Sequence, residues 1–363
     1  MKADHFDLAP AMLAAFSAQA LQRPRAEALR VLRHGAWRRL SWSELAVRAG
    51  HAARGWATLG VGRGDTIVAV GALGESFILT LIAVQLLGAR IKVEADASLD
   101  RAIADACFVL AQDTLEVDRV LMHRSASLRA LVIENEFGAE PSADVVTLGW
   151  DGLIEAGAAQ PTRSLDSDTD VGANTNTLSL VQSGPLQGGP NRTGAAWRTV
   201  LADFPLCWLP GLRWLMGSWP AIGATLVVAD AGGEAGAALI DVRPELWITS
   251  AQTLAAFDAS ARGRVPAAGG LGARAVHAAL AKGSGPLQAA MRWRLRQVLG
   301  LGSVQAVLTE PQTVPAAVAL LQRLGVAVDS DLPQPAEMTR PRIPVSAHGS
   351  VERFKPATER AAP

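Results

Sequence analysis

The chain has 363 residues, 49% of them hydrophobic, which suffices for a substantial buried core in one large or two medium domains. Lys plus Arg and Asp plus Glu each total 34, a balance that gives no electrostatic reason to expect nucleic acid or an acidic substrate as partner. Asp4 and Asp7 stand where a secretory leader would be basic and then apolar, and the longest uncharged apolar runs, 77–89 and 214–229, are too short to span a bilayer. A cytoplasmic location is expected, with peripheral membrane contact left open.

In chain order, "ALRVLRHGAWRRL" predicts a hairpin turning at His34-Gly35, with Leu29, Val31 and Trp37 on one side. Ser41 and Glu44 have capping-box spacing, and Leu45, Ala49, Ala52, Trp56 and Leu59 recur at helical intervals up to Gly60. "TIVAV", a helix over 75–87 closed by Gly88, and "ARIKV" make a strand-helix-strand unit. The pattern repeats with "CFVLA", a helix over 114–123, and "ALVIE". Residues 155–177 are polar and breaker-rich, a linker or surface loop. Beyond them, "TLVVAD", "ELWIT", "VQAVLT" and "GVAVD" read as strands between helices near 235–240, 251–261, 287–299 and 316–324. The alternation predicts an α/β fold of mostly parallel sheets with flanking helices. It divides into a first subdomain over 1–154, a linker over 155–177, a second subdomain over 178–329, and a tail over 330–363 whose six prolines predict disorder.

The chemistry-bearing candidates are few. Cys107 and Cys207 lie in apolar surroundings and are expected to be buried reduced thiols, and no pair among the six histidines has metal-ligand spacing. "GVGRG" at 60–64 follows a helix and precedes a strand, the reverse of a dinucleotide fingerprint, and Ser183 lacks the glycine pattern of a nucleophile elbow. The arginines of "MRWRLRQ", Arg292, Arg294 and Arg296, read as a solvated helix face, with docking of an anion as the alternative. "SLVQSGPLQGGPNRTGAAW", 179–197, has the order strand, glycine-rich loop, helix that cradles phosphates, and it competes with a plain surface turn.

The stretch from Leu32 to Val93 resembles the N-terminal region of adenylate-forming, AMP-binding acyl-CoA synthetases of the long-chain type, and weaker similarity continues through "FVLAQDTLEVDRVL", "FPLCWLPG" and "LLQRLGV". The resemblance implies activation of a carboxylic acid as an acyl-adenylate and transfer to a thiol. Against the family's phosphate loop, Thr-Ser-Gly-Thr-Thr-Gly-x-Pro-Lys-Gly, the residues Ser183, Gly184, Gly189 and Pro190 match, with Gly188 in the enlarged turn. Pro185 and Leu186 replace the threonines, Asn191 replaces the lysine, and Arg192 is the nearest cation. A proline deletes an N–H, a leucine deletes a hydroxyl, and a guanidinium fork does not substitute for a lysine point charge.

The family's adenine-lining segment corresponds to 309–312, and the place of its Tyr-Gly-x-Thr-Glu motif reads "DSDLPQPAE" in a chain without tyrosine. The resemblance also implies a mobile C-terminal domain, and the expectation is that the chain stops before it would begin. The expectation is a catalytically degraded, non-catalytic binding or scaffold protein with no catalytic residue, metal ligand or cofactor, and with Ser183, Gly184, Gly188, Gly189 and Arg192 as remnants of a phosphate site. Its partners would be a second copy, a full-length synthetase or an acyl group, met through exposed Trp208, Leu209, Trp214 and Leu215, although core packing competes for the same tryptophans. The alternative is an active fatty acid-CoA ligase using ATP and Mg²⁺ with a C-terminal domain from another chain.

Overall fold

The computed structural model describes residues 5–6, 10–33, 35–94, 96–135, 145–161, 197–229, 235–263, 285–311, 313 and 315–330. In order, these form β1 (His5–Phe6), α1 (Pro10–Gln22), β2 (Glu27–Arg33), β3 (Ala36–Ser41), α2 (Trp42–Thr58), β4 (Thr66–Val70), α3 (Glu75–Leu87), β5 (Arg90–Val93), α4 (Asp96–Ala104), β6 (Phe108–Ala111), α5 (Thr114–His123), β7 (Ala130–Ile133), β8 (Val146–Gly149) and α6 (Trp150–Ala159). Then follow β9 (Thr199–Asp203), α7 (Leu209–Ile222), β10 (Thr225–Val228), α8 (Ala235–Val242), β11 (Leu246–Thr249), α9 (Ala251–Gly263), α10 (Pro286–Val298), β12 (Ala306–Thr309), α11 (Pro315–Arg323) and β13 (Ala327–Asp329).

Two sheets result, ordered β1-β5-β4-β6-β7-β8 and β13-β12-β11-β9-β10-β2-β3. Every pairing is parallel except β1 with β5 and β2 with β3. Helices α2, α3 and α7 fill the layer between the sheets, in a core that joins Ile67 and Ala69 of one to Leu226 and Val228 of the other. Outer cores lie under α4 and α5 on the first sheet and under α8, α9 and α11 on the second. Apolar surface on both faces explains why α3 reads as one unbroken hydrophobic run, buried from Glu75 to Val84.

Local signals were met closely where the chain carries caps. Ser41 caps α2 with the full reciprocal bond from Glu44, and Gly88 ends α3 in the left-handed conformation at φ 65°. The α2–α6 crossing is so close that a Cβ at Gly55 or Gly157 would run into the backbone of the opposite helix.

Several expectations need correction. The hairpin lies in the sequence assigned to the first subdomain but completes the second sheet, through the pairing of Leu29 with Leu226. Helix α6 continues to Ala159, into the stretch read as linker. A register shift at Ala28 and the pairing of Leu32 with Trp37 put Trp37 against the outer core, on the face opposite Leu29 and Val31. Cys107 is half-buried and Cys207 exposed, neither in a disulfide.

The expected apolar mouth is interior. Trp208, Trp214 and Leu215 are buried and Leu209 is half-buried, because α7 packs into the middle layer, where Trp219 stacks on Trp42 at 5.3 Å and donates to the Ala28 and Ala224 carbonyls. Residues 331–363, read as a tail, lie outside the described residues.

Candidate functional site

In parallel sheets, ligands sit beyond the carboxyl ends of the strands, where successive crossovers leave in opposite directions. β4 is such a strand in the first sheet, flanked by β5 and β6, and β9 is its counterpart in the second, flanked by β10 and β11. The loops leaving these two strands touch, through an antiparallel bridge between Ala72 and Pro205. The two carboxyl edges therefore form one seam.

On the first side the seam is ionic. Glu75, 1% exposed at the start of α3, lies 2.9 Å from Arg48 Nε and 3.4 Å from Arg38 Nη1. Arg33 reaches Asp151 at 3.2 Å and also donates to the Glu134 carbonyl. The Glu134 carboxylate accepts from Ser76 N and from Ser76 Oγ at 2.8 Å, in space left by Gly74, whose Cβ would strike it. Burial pushes the Glu134 carboxyl above the usual range, the Ser76 bonds acting the other way. Gln112, after β6, accepts from Ala72 N at 2.7 Å and fixes the bridging loop.

On the second side it is a row of acids and hydroxyls. Asp203, Thr249 and Thr309 end β9, β11 and β12 in register, so their side chains share one face. Thr249 and Thr309 are fully buried, and their hydroxyls have no hydrogen-bond partner among the described residues. Burial alone raises the Asp203 carboxyl to about 6. Ser250 Oγ bonds Thr253, Glu310 accepts weakly from Ala251 N at 3.3 Å, and Asp329 ends β13. Among the described residues, the loops directly after β9 (204–208), β11 (250), β12 (310–311 and 313) and β13 (330) contain no lysine or arginine.

The sequence-derived site residues Ser183, Gly184, Gly188, Gly189 and Arg192 lie outside the described residues, as do Gln312 and the stretch after Ser330. Thr309 and Glu310, from the segment matched to the adenine-lining one, do reach the seam. Sequence reading missed Arg33, Arg38, Arg48, Glu75, Glu134, Asp203 and Thr249. The available signal was a carboxylate heading the apolar run "ESFILTLIAV", where only a buried partner could be expected to tolerate it. Among the described residues, no group of three or more His, Cys, Asp or Glu is placed to hold a metal ion. The seam can accept hydrogen bonds and hold neutral or cationic polar groups.

No protein-family model matches the chain, and no curated protein matches it. Solved structures do. The adenylation domain of carboxylic acid reductase from Segniliparus rugosus, in complex with AMP and a co-purified carboxylic acid, is 16% identical with a TM-score of 0.59, over 88% of this chain and 58% of that one. The corresponding domain from Mycobacterium chelonae is 18% identical with a TM-score of 0.56, over 88% and 60%. A Brucella canis acyl-CoA synthetase is 10% identical with a TM-score of 0.54, over 89% and 56%. The chain thus spans less than two thirds of each, and what it shares with them is the α/β fold of the large N-terminal part of adenylate-forming enzymes.

Proposed function

We propose that this protein uses the adenylate-forming fold as a non-catalytic binding scaffold and makes no acyl-adenylate. The observation that carries the reading is the charge at the seam. A triphosphate is held by uncompensated cations and N–H groups, yet the ends of β9, β11 and β12 and the described loop residues directly after them bring Asp203 and Glu310 to the seam and no lysine or arginine, and the guanidiniums of Arg33, Arg38 and Arg48 face Asp151 and Glu75. The sequence departures in the glycine-rich stretch, Pro185, Leu186 and Asn191, point the same way. The ligand held would be an acyl group or a partner chain, either a second copy or a synthetase. No described helix is long and apolar enough to cross a membrane, and a cytoplasmic site of action is part of the proposal.

Calorimetry with ATP·Mg²⁺ and pyrophosphate exchange with a panel of fatty acids test this. No exchange is expected, since loss of a single transition-state donor already lowers rates by about 10²–10³. Exchange above background that Arg192→Ala abolishes would overturn it in favour of a working ligase.

A further inference from the structure

Helix α10 keeps its large apolar side chains in solvent. A surface helix normally turns an apolar stripe inward and polar residues outward. Here the inward side mixes Met291 and Leu295 with Arg292 and Arg296, all half-buried, and no residue of the helix is fully buried. Leu287, Trp293 and Val298 are 73%, 64% and 55% exposed. Leu287 and Val298 stand about three turns apart and so share one stripe, with exposed Arg294 one turn before Val298. The outward face, expected from its arginines to be an ordinary solvated one, is therefore mostly apolar. Its aim is fixed, because Leu295 packs on the outer core of the second sheet and Arg296 donates to the Leu301 and Val304 carbonyls.

Charge around this helix is segregated. Between Asp258 and Glu310 the sequence holds six arginines and one lysine and no acidic residue, in a chain whose two signs balance at 34 each. Arg262 pairs with Asp258 at the border of that stretch. Arg294 has no acidic partner among the described residues, and the carbonyls that Arg296 bonds leave its charge uncancelled. Cations set among exposed leucine, tryptophan and valine match a surface of anionic phosphates above hydrocarbon. A nucleic acid would meet the cations and leave the apolar side chains in water. A second copy across a two-fold axis would bring together two helices that carry arginines and no acid.

We propose that α10 docks the protein on an anionic phospholipid membrane. It lies along the surface, with Leu287, Trp293 and Val298 in the headgroup region and Arg294 at the lipid phosphates. Exposed Ile240 of α8, which a Cβ at Gly300 would strike, extends the apolar rim at the C-terminal end of the helix. The docking face shares no residue with the seam, and it would serve a binding scaffold and a ligase alike.

Co-sedimentation of the full chain with lipid vesicles tests this. Binding is expected to vesicles of phosphatidylcholine and phosphatidylserine in about a 2:1 ratio, at least about tenfold tighter than to phosphatidylcholine alone, and weaker as salt rises from about 0.1 M to 0.5 M. Arg294→Gln should weaken it about fivefold, and Leu287→Gln by a similar factor. Lipids brominated in the acyl chain should quench the tryptophan fluorescence, and the quenching should vanish in Trp293→Phe while binding persists. The comparison between lipids keeps the test valid if a variant fails to fold. No binding up to about 1 mM lipid, equal binding to the two kinds of vesicle, absence of quenching, a DNA duplex bound more tightly than vesicles, or a dimer that Leu287→Gln dissolves would each overturn the proposal.

Discussion

The carboxyl edges that meet at Ala72 and Pro205 come from the same strand-helix unit used twice, yet they end in opposite electrostatic conditions. On the first sheet each buried carboxylate has a partner: Glu75 is ion-paired with Arg38 and Arg48, and Glu134 accepts from Ser76. On the second, Asp203 is buried with no compensating cation among the described residues, and two threonine hydroxyls are buried with no partner among them. The first edge is a joint that ties hairpin, α2, α3 and α6 together. What separates the second from the first is charge: its buried carboxylate meets no counter-charge among the described residues, the condition of a surface arranged for something other than its own stability.

The comparison predicts opposite signs for substitutions on the two sides. Glu75→Ala should lower unfolding free energy most, by about 3 kcal/mol, because it strands Arg48 and the inner part of Arg38 without a counter-charge. Chemical denaturation measures this. A loss below about 1 kcal/mol would mean that the joint is ornamental.

Next in size is Asp203→Asn. A carboxyl raised to about 6 in the folded state holds its proton more tightly there than in the unfolded chain. Its contribution is therefore fully present below about pH 4 and lost as pH climbs through about 6. The variant should remove that slope and be more stable than the parent by about 2–3 kcal/mol at pH 7. Denaturation midpoints across pH 4–8 check it. A residual slope should extend toward neutrality from half-buried Glu116, raised to about 7 chiefly by burial and by its bond to Asp113.

Thr249→Val and Thr309→Val should each stabilise by about 1 kcal/mol, by replacing a buried hydroxyl that has no partner among the described residues with a methyl group. Destabilisation in thermal melts would show that the hydroxyls have partners and that the two edges are alike. Smallest is Asp151→Ala, expected below about 1 kcal/mol because Asp151 is 55% exposed and its pairs with Arg33 and Arg48 are screened by water.

Much of the fold was legible, for identifiable reasons. The bounds of α3 and α5 were readable because Gly88 stops one and Asp113 caps the other. β9 and α7 were hidden: "TVLAD" is short, and Pro220 inside an apolar run reads as a break, although α7 carries it two residues before its end. The partition of the hairpin to the distant sheet was also beyond reach, since periodicity says which face is buried and not against what. Of the seam, the sequence reading reached only Thr309, Glu310 and Asp329, in the segments matched to family motifs. Whether Glu75 meets arginines, or Asp203 meets none among the described residues, depends on long-range pairing, which leaves no trace in local pattern.

The hairpin has one further consequence, for the order of events in biosynthesis. β2 waits for β10, and the residues they pair, Leu29 and Leu226, lie 197 positions apart. At about 5–20 residues per second, roughly 10–40 s of synthesis separate them. For that interval the nascent chain carries a finished two-stranded ribbon with its inner edge bare, a natural ligand for holdase chaperones. The same geometry makes the protein indivisible at its apparent midpoint. A cut within 162–196 would give one piece with an orphaned ribbon and another whose sheet ends at an uncapped β10, so each half would need the other in order to fold.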